Sequence, residues 1–195
     1  MKKSSKKIKA IFVMLLLVIT IACKKERKKI NRVNNILKAA QNLEKDTKKL
    51  TNLEPVTKEQ LKNWMPKNLN DLKRTAYNIS KQGGASSVKL TYKDENNKNV
   101  QITIIDGAGA GASYVSMFTM FTQVEIDKET ETGYERTTTY DSQKVLVKYN
   151  KSGNYESSNI TCLINERFGV EARGKNMNPK ELWHYIKKLK IKKLK

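Results

Sequence analysis

The stretch "SVKLTYKDENNKNVQITIID", Ser87 to Asp106, leaves this chain few ways to fold. Val88, Leu90 and Tyr92 alternate with polar residues, and so do Val100, Ile102 and Ile104 after the polar turn "DENNKN". Two runs of period two flanking a turn form a hairpin with one buried face. A slip of one residue would carry every apolar side chain to the wrong side, so the register is strongly specified. The pattern continues. "LKRTAYNIS" precedes the hairpin and is broken by Gly83-Gly84. "YERTTTY", "KVLVKY", "SNITCLIN" and "RFGVEARG" follow, with turns at Asp141-Ser142, Gly153-Asn154 and Asn165-Glu166. The expectation is an α+β fold around a largely antiparallel sheet of about six to seven strands.

Three helices are predicted to pack on it. In "PVTKEQLKNWMP", Thr57 caps, Gln60 completes a capping box, Val56 can staple onto Leu61, and Pro66 ends the helix. "SYVSMFTMFTQV" is apolar over most of its girth and is expected to be largely buried. In "NMNPKELWHYIKKLK", Asn178 caps, Pro179 fits the first turn and Glu181 completes the box, with Leu182, Ile186 and Leu189 on the inner face. The domain is placed at 55–195, long enough to bury a core. Upstream, Ile30, Val33, Leu37, Ala40, Leu43 and Leu50 form a narrow stripe among lysines. Residues 23–54 are therefore read as a helical stalk: a tether, a coiled-coil strand or a helix lying on lipid.

Residues 1–22 read as a signal peptide. "MKKSSKKIKAIFVMLLLVITIAC" has five lysines, then a thirteen-residue run that is apolar except for Thr20, too short to span a bilayer, then a cysteine. Its end, "TIAC", resembles the lipobox of bacterial lipoproteins, with Thr20 where leucine is usual. The resemblance implies cleavage after Ala22, a diacylglycerol thioether and acylation with a fatty acid such as palmitate at Cys23, and a lipid-anchored place in the bacterial cell envelope. Lys24 stands where enteric bacteria use aspartate for inner-membrane retention, which by that analogy favours the outer membrane. Cys162, in "NITCLIN", is then left without an intrachain partner and is expected to be a small buried hydrophobe.

Charge narrows the partners. The chain has 39 Lys and Arg against 19 Asp and Glu. The excess lies toward the two ends and is nearly all lysine, with few arginines and no interleaved aromatics, which argues against nucleic acid. Lysine together with many asparagines and isoleucines suits an AT-rich genome, which explains most of the excess. Among partners, an anionic lipid surface or an envelope protein fits better than nucleic acid.

The segment "DGAGAGAS", Asp106 to Ser113, has the spacing of a permissive dinucleotide loop, with Gly107, Gly109 and Ala112 in register. The run before it belongs to an antiparallel hairpin, however, and such a loop needs a parallel strand and a crossover helix. The glycines are therefore read as steric, and no cofactor is expected. Asp127, Glu129 and Glu131 resemble the start of a calcium loop, but Thr132 and Thr138 stand where glycine and glutamate are required, so no metal is expected either. His184, between Trp183 and Tyr185, has no evident partner for base catalysis.

"DKETETGYERTTTYDSQKVLVKY", with "RFGVEARG" and "LKRT", resembles an uncharacterised group of small exported bacterial lipoproteins. The strand–helix–strands order is also similar to the Mog1/PsbP-like sandwich, a fold that hosts mostly binding roles. The expected function is thus a lipid-anchored envelope protein that binds without catalysis. The alternatives are an envelope hydrolase built on Glu135, Glu166 or Glu171, and a structural spacer whose stalk self-associates.

Overall fold

The computed structural model describes Glu44 and residues 47–194. The signal segment, Cys23 and the stalk as far as Leu43 lie outside these residues. After a helical segment at 47–51 comes α1 (Lys58–Trp64), then β1 (Asn68–Leu69), β2 (Leu72–Gln82), β3 (Ala85–Lys93) and β4 (Asn99–Asp106). A 3-10 turn at Gly109–Gly111 leads into α2 (Ala112–Gln123). Next are β5 (Asp127–Thr130), β6 (Gly133–Tyr140), β7 (Gln143–Ser152), β8 (Tyr155–Ile164) and β9 (Phe168–Lys175). The chain closes with α3 (Pro179–Lys188) and a 3-10 turn at Ile191–Lys193. The strands form one antiparallel sheet in the order β1-β2-β3-β4-β9-β8-β7-β6-β5. Two meanders meet where β4 pairs with β9.

The expected local signals are present. Thr57 and Gln60 form the reciprocal capping box. Asn178 accepts the Glu181 N–H at 3.0 Å with Pro179 in the first turn. The Glu181 carboxylate is instead held by Lys98 Nζ. Asp141 and Ser142 both take positive φ, as do Asn165 and Glu166, the backbone that two-residue hairpin turns require.

The strand pleat divides the sheet into two faces. One carries Val88, Leu90 and Tyr92, then Val100, Ile102 and Ile104, then Val145 and Val147, then Ile160 and Cys162, then Val170 and Ala172, all buried. Leu182, Ile186 and Leu189 cover it from α3 and its C-cap, and Leu61 joins the same core from α1. Among the described residues, the other face holds α2 at one end only. Gly169 makes room there, because a Cβ at that position would lie 2.5 Å from the Phe118 ring.

Three expectations change. The sheet has nine strands rather than six or seven. β1 is two residues long, too short for a periodic signal, and β5, "DKET", falls in the acidic segment that resembles the start of a calcium loop. As an exposed edge strand β5 carries no apolar alternation, so hydrophobic periodicity cannot reveal it. Second, α2 is not largely buried. Ala112, Val115 and Phe118 face the protein, while Met117, Met120, Phe121 and Val124 are roughly half exposed. Third, Leu50, placed in the stalk, is buried against Ala112 and Val115. Thr47 Oγ1 lies 3.1 Å from Ser116 Oγ, so packing begins before residue 55.

Candidate functional site

The glycine segment is held by one buried ion pair. Asp106 ends β4 and is 4 % exposed. Its Oδ1 accepts from Arg167 Nε at 2.6 Å and from the Ala108 N–H at 3.0 Å. Its Oδ2 accepts from Arg167 Nη2 at 2.9 Å and from the Val56 N–H at 2.7 Å. Arg167 also donates to the Glu54 carbonyl. This one carboxylate therefore ties the end of β4, the β8–β9 turn and the entry to α1 together.

Three of the N–H groups that a phosphate loop would aim at its ligand have protein acceptors here. Gly107 donates to the Arg167 carbonyl, Ala108 to Asp106, and Gly111 to the Ala108 carbonyl. β4 is antiparallel to both its neighbours, β3 and β9, so no βαβ unit exists at this place. Gly109 has φ +59 and meets Pro55, a setting that disfavours any β-branched residue. Gly109→Val is expected to cost about 1–3 kcal/mol. A thermal-shift screen of the parent protein with NAD, ATP, FMN and GTP should give no saturable rise. A rise that disappears in a folded Gly109→Val protein would make the segment a nucleotide site after all.

The three candidate carboxylates are not brought together. Glu135 on β6 pairs with Lys148 at 3.2 Å, and Glu171 on β9 pairs with Arg173 at 2.6 Å. β7 and β8 lie between them, which separates their strands by roughly 14 Å at ~4.8 Å per strand. Glycosidase pairs need about 5–9.5 Å. Glu166 sits apart in the β8–β9 turn. On β5, Asp127 lies 3.5 Å from Arg136. Among the described residues no three His, Cys, Asp or Glu side chains group as metal ligands. His184 is exposed on α3, its Nε2 2.9 Å from Asn70 Nδ2. Cys162 is fully buried, as its surroundings in sequence suggested, and desolvation pushes its thiol up to about 12. Such a thiol is not a nucleophile at neutral pH.

What the structure does assemble is a polar grid at the centre of the sheet. On the face opposite the core, β4, β9 and β8 place Asn99, Lys175 and Ser157 in one cross-strand row. Gln101, Arg173 and Asn159 form the next row, and Thr103, Glu171 and Thr161 the third. A shallow cavity of about 350 Å³ lies over the first two rows, bordered by Tyr155, which is half exposed. A smaller one, about 100 Å³, adjoins Lys89, Thr103 and Glu171. Antiparallel sheets commonly leave one face to solvent, and among the described residues α2 covers only the far end of this one. The polar halves of "VQITIID" and "RFGVEARG" were visible in the sequence. That β4, β9 and β8 are neighbours was not.

No protein-family model and no curated protein matches this chain. Among solved structures, the chain is similar to the extracellular domain of PknH from Mycobacterium tuberculosis. The two share 9 % identity at a TM-score of 0.46, over 72 % of this chain and 97 % of that one.

Proposed function

We propose that the protein is a lipid-anchored cell-envelope binding module, without catalysis, whose working surface is the polar grid of β4, β9 and β8. The grid itself carries this reading. Amides and hydroxyls that both donate and accept lie beside Arg173 and Lys175, with the Tyr155 ring at the border. That combination suits a hydroxyl-rich ligand bearing carboxylates, such as an envelope glycan with acidic substituents. The one carboxylate of the grid, Glu171, is held by Arg173, and among the described residues no second carboxylate stands in the grid to form the pair that glycoside hydrolysis uses. A Mog1/PsbP-like sandwich is the finer fold we infer. Among the described residues no helix is long and apolar enough to cross a membrane. Attachment is assigned to lipid on Cys23, with the outer membrane as its place.

Two measurements test the two halves. Metabolic labelling with an alkyne fatty acid should mark the wild type and leave Cys23→Ser unmarked. Equal labelling removes the anchor from the proposal. Titration of the Cys23→Ser protein with soluble peptidoglycan fragments and other acidic envelope oligosaccharides, followed by NMR, should shift the amides of β4, β8 and β9. Arg173→Ala should weaken binding at least tenfold, since a charge-assisted hydrogen bond contributes about 1.5–3 kcal/mol. Shifts confined to other parts of the domain would reject the grid.

A further inference from the structure

The core side of the sheet has a second concavity, away from the polar grid. It measures about 500 Å³, within the range of small-molecule sites. Its floor is Ile164 at the end of β8, Trp183 and Ile186 on α3, and Ile191 in the C-terminal turn. Its rim is cationic: Lys187, Lys190, Lys192 and Lys193 stand against the single carboxylate of Asp141. That carboxylate is already engaged, by Lys187 Nζ at 2.7 Å and by the Trp183 indole N–H at 2.9 Å. None of the ion pairs among the described residues involves Lys190, Lys192 or Lys193. An apolar floor under a ring of uncompensated lysines is complementary to a molecule with an apolar body and an acidic head.

We propose that this cavity binds a single-chain anionic amphiphile, a carboxylate-headed acyl chain of the fatty-acid type. The chain would lie on Ile164, Trp183, Ile186 and Ile191, and the head among Lys190, Lys192 and Lys193. A bilayer surface is the rival occupant, because "WHYIKKLKIKKLK" has the composition of a basic helix that lies on lipid. Its apolar stripe is already committed. Leu182, Leu189 and Leu194 are buried in the domain and do not line the concavity. The floor residues sit inside a concavity that a slender chain can enter and a flat membrane cannot.

The chain has two tryptophans, so Trp64→Phe leaves Trp183 as the reporter within the cavity. Titrating that protein with monomeric laurate should give a saturable change in Trp183 emission at one equivalent. Dodecanol, equal in length and uncharged, should bind at least tenfold more weakly. Lys192→Gln with Lys193→Gln should erase the preference while circular dichroism stays unchanged. Should that variant fail to fold, the comparison is made on the parent: raising salt from roughly 0.05 to 0.5 M should weaken laurate and leave dodecanol unaffected. The proposal falls if laurate gives no saturable signal, or if laurate and dodecanol bind alike. It also falls if anionic phospholipid vesicles perturb Trp183 as strongly as laurate does, which would mean a membrane surface.

Discussion

Asp106→Ala should destabilise the domain by about 3–5 kcal/mol, the range seen when one partner of a buried ion pair is removed. At this domain size that corresponds to a melting temperature lower by roughly 10–17 °C. The loss has several sources. Arg167, 17 % exposed by its side chain, would be left without its carboxylate. The Val56 and Ala108 N–H groups would lose their acceptor, and unsatisfied buried donors are costly. Arg167→Met should also be harmful, since it strands the carboxylate. The double variant Asp106→Ala with Arg167→Met should be less damaged than the two single losses added together. Urea denaturation of the four proteins gives that coupling directly. A single-mutant loss below about 1 kcal/mol would show that the pair is not the tie described above.

Gly111→Ala is expected to be nearly as harmful, at about 3 kcal/mol, the upper end of overpacking effects. Here the cause is proximity rather than backbone freedom. Gly111 sits at φ −70, open to any residue, but a Cβ would lie 1.9 Å from the Asp106 carbonyl oxygen. Backbone on both sides of the contact would have to move, and α2 begins at the next residue. Gly153→Ala makes the control. At φ +55 that glycine has nothing within 4 Å, so only the left-handed conformation is penalised, by about 1–2 kcal/mol. Denaturation midpoints for the two variants should therefore differ clearly. Equal losses would mean that the contact at Gly111 relaxes freely.

These two residues mark what could be read from the sequence and what could not. The alternation of Val88 to Tyr92 and of Val100 to Ile104 announced strands because one face of each had to be buried. The caps at Thr57 and Asn178 announced helix starts because their side chains satisfy orphaned N–H groups in the next turn. Both are local effects. The role of Asp106 was not local: its partners lie 50 and 61 residues away, at Val56 and Arg167, and nothing in the order of the chain brings them together. The polar grid was hidden for the same reason. Each strand showed its polar half, but the pairing of β4 with β9 joins residues about seventy positions apart. α2 misled because composition reports how apolar a helix is and not how many of its sides have neighbours.

The sheet's two borders have a consequence for how copies of this protein behave at high local density. β1 pairs with only the first residues of β2, so most of β2 forms one border. That open part carries Lys81 and begins at a bulge between Arg74 and Ala76. β5, at the other border, is short, fully exposed and three-quarters charged. Lysines, a bulge and a brief charged strand each discourage a foreign strand from adding to an open hydrogen-bonding row. Molecules crowded side by side on a surface would be kept from zipping into a continuous ribbon, and each would keep its own sheet.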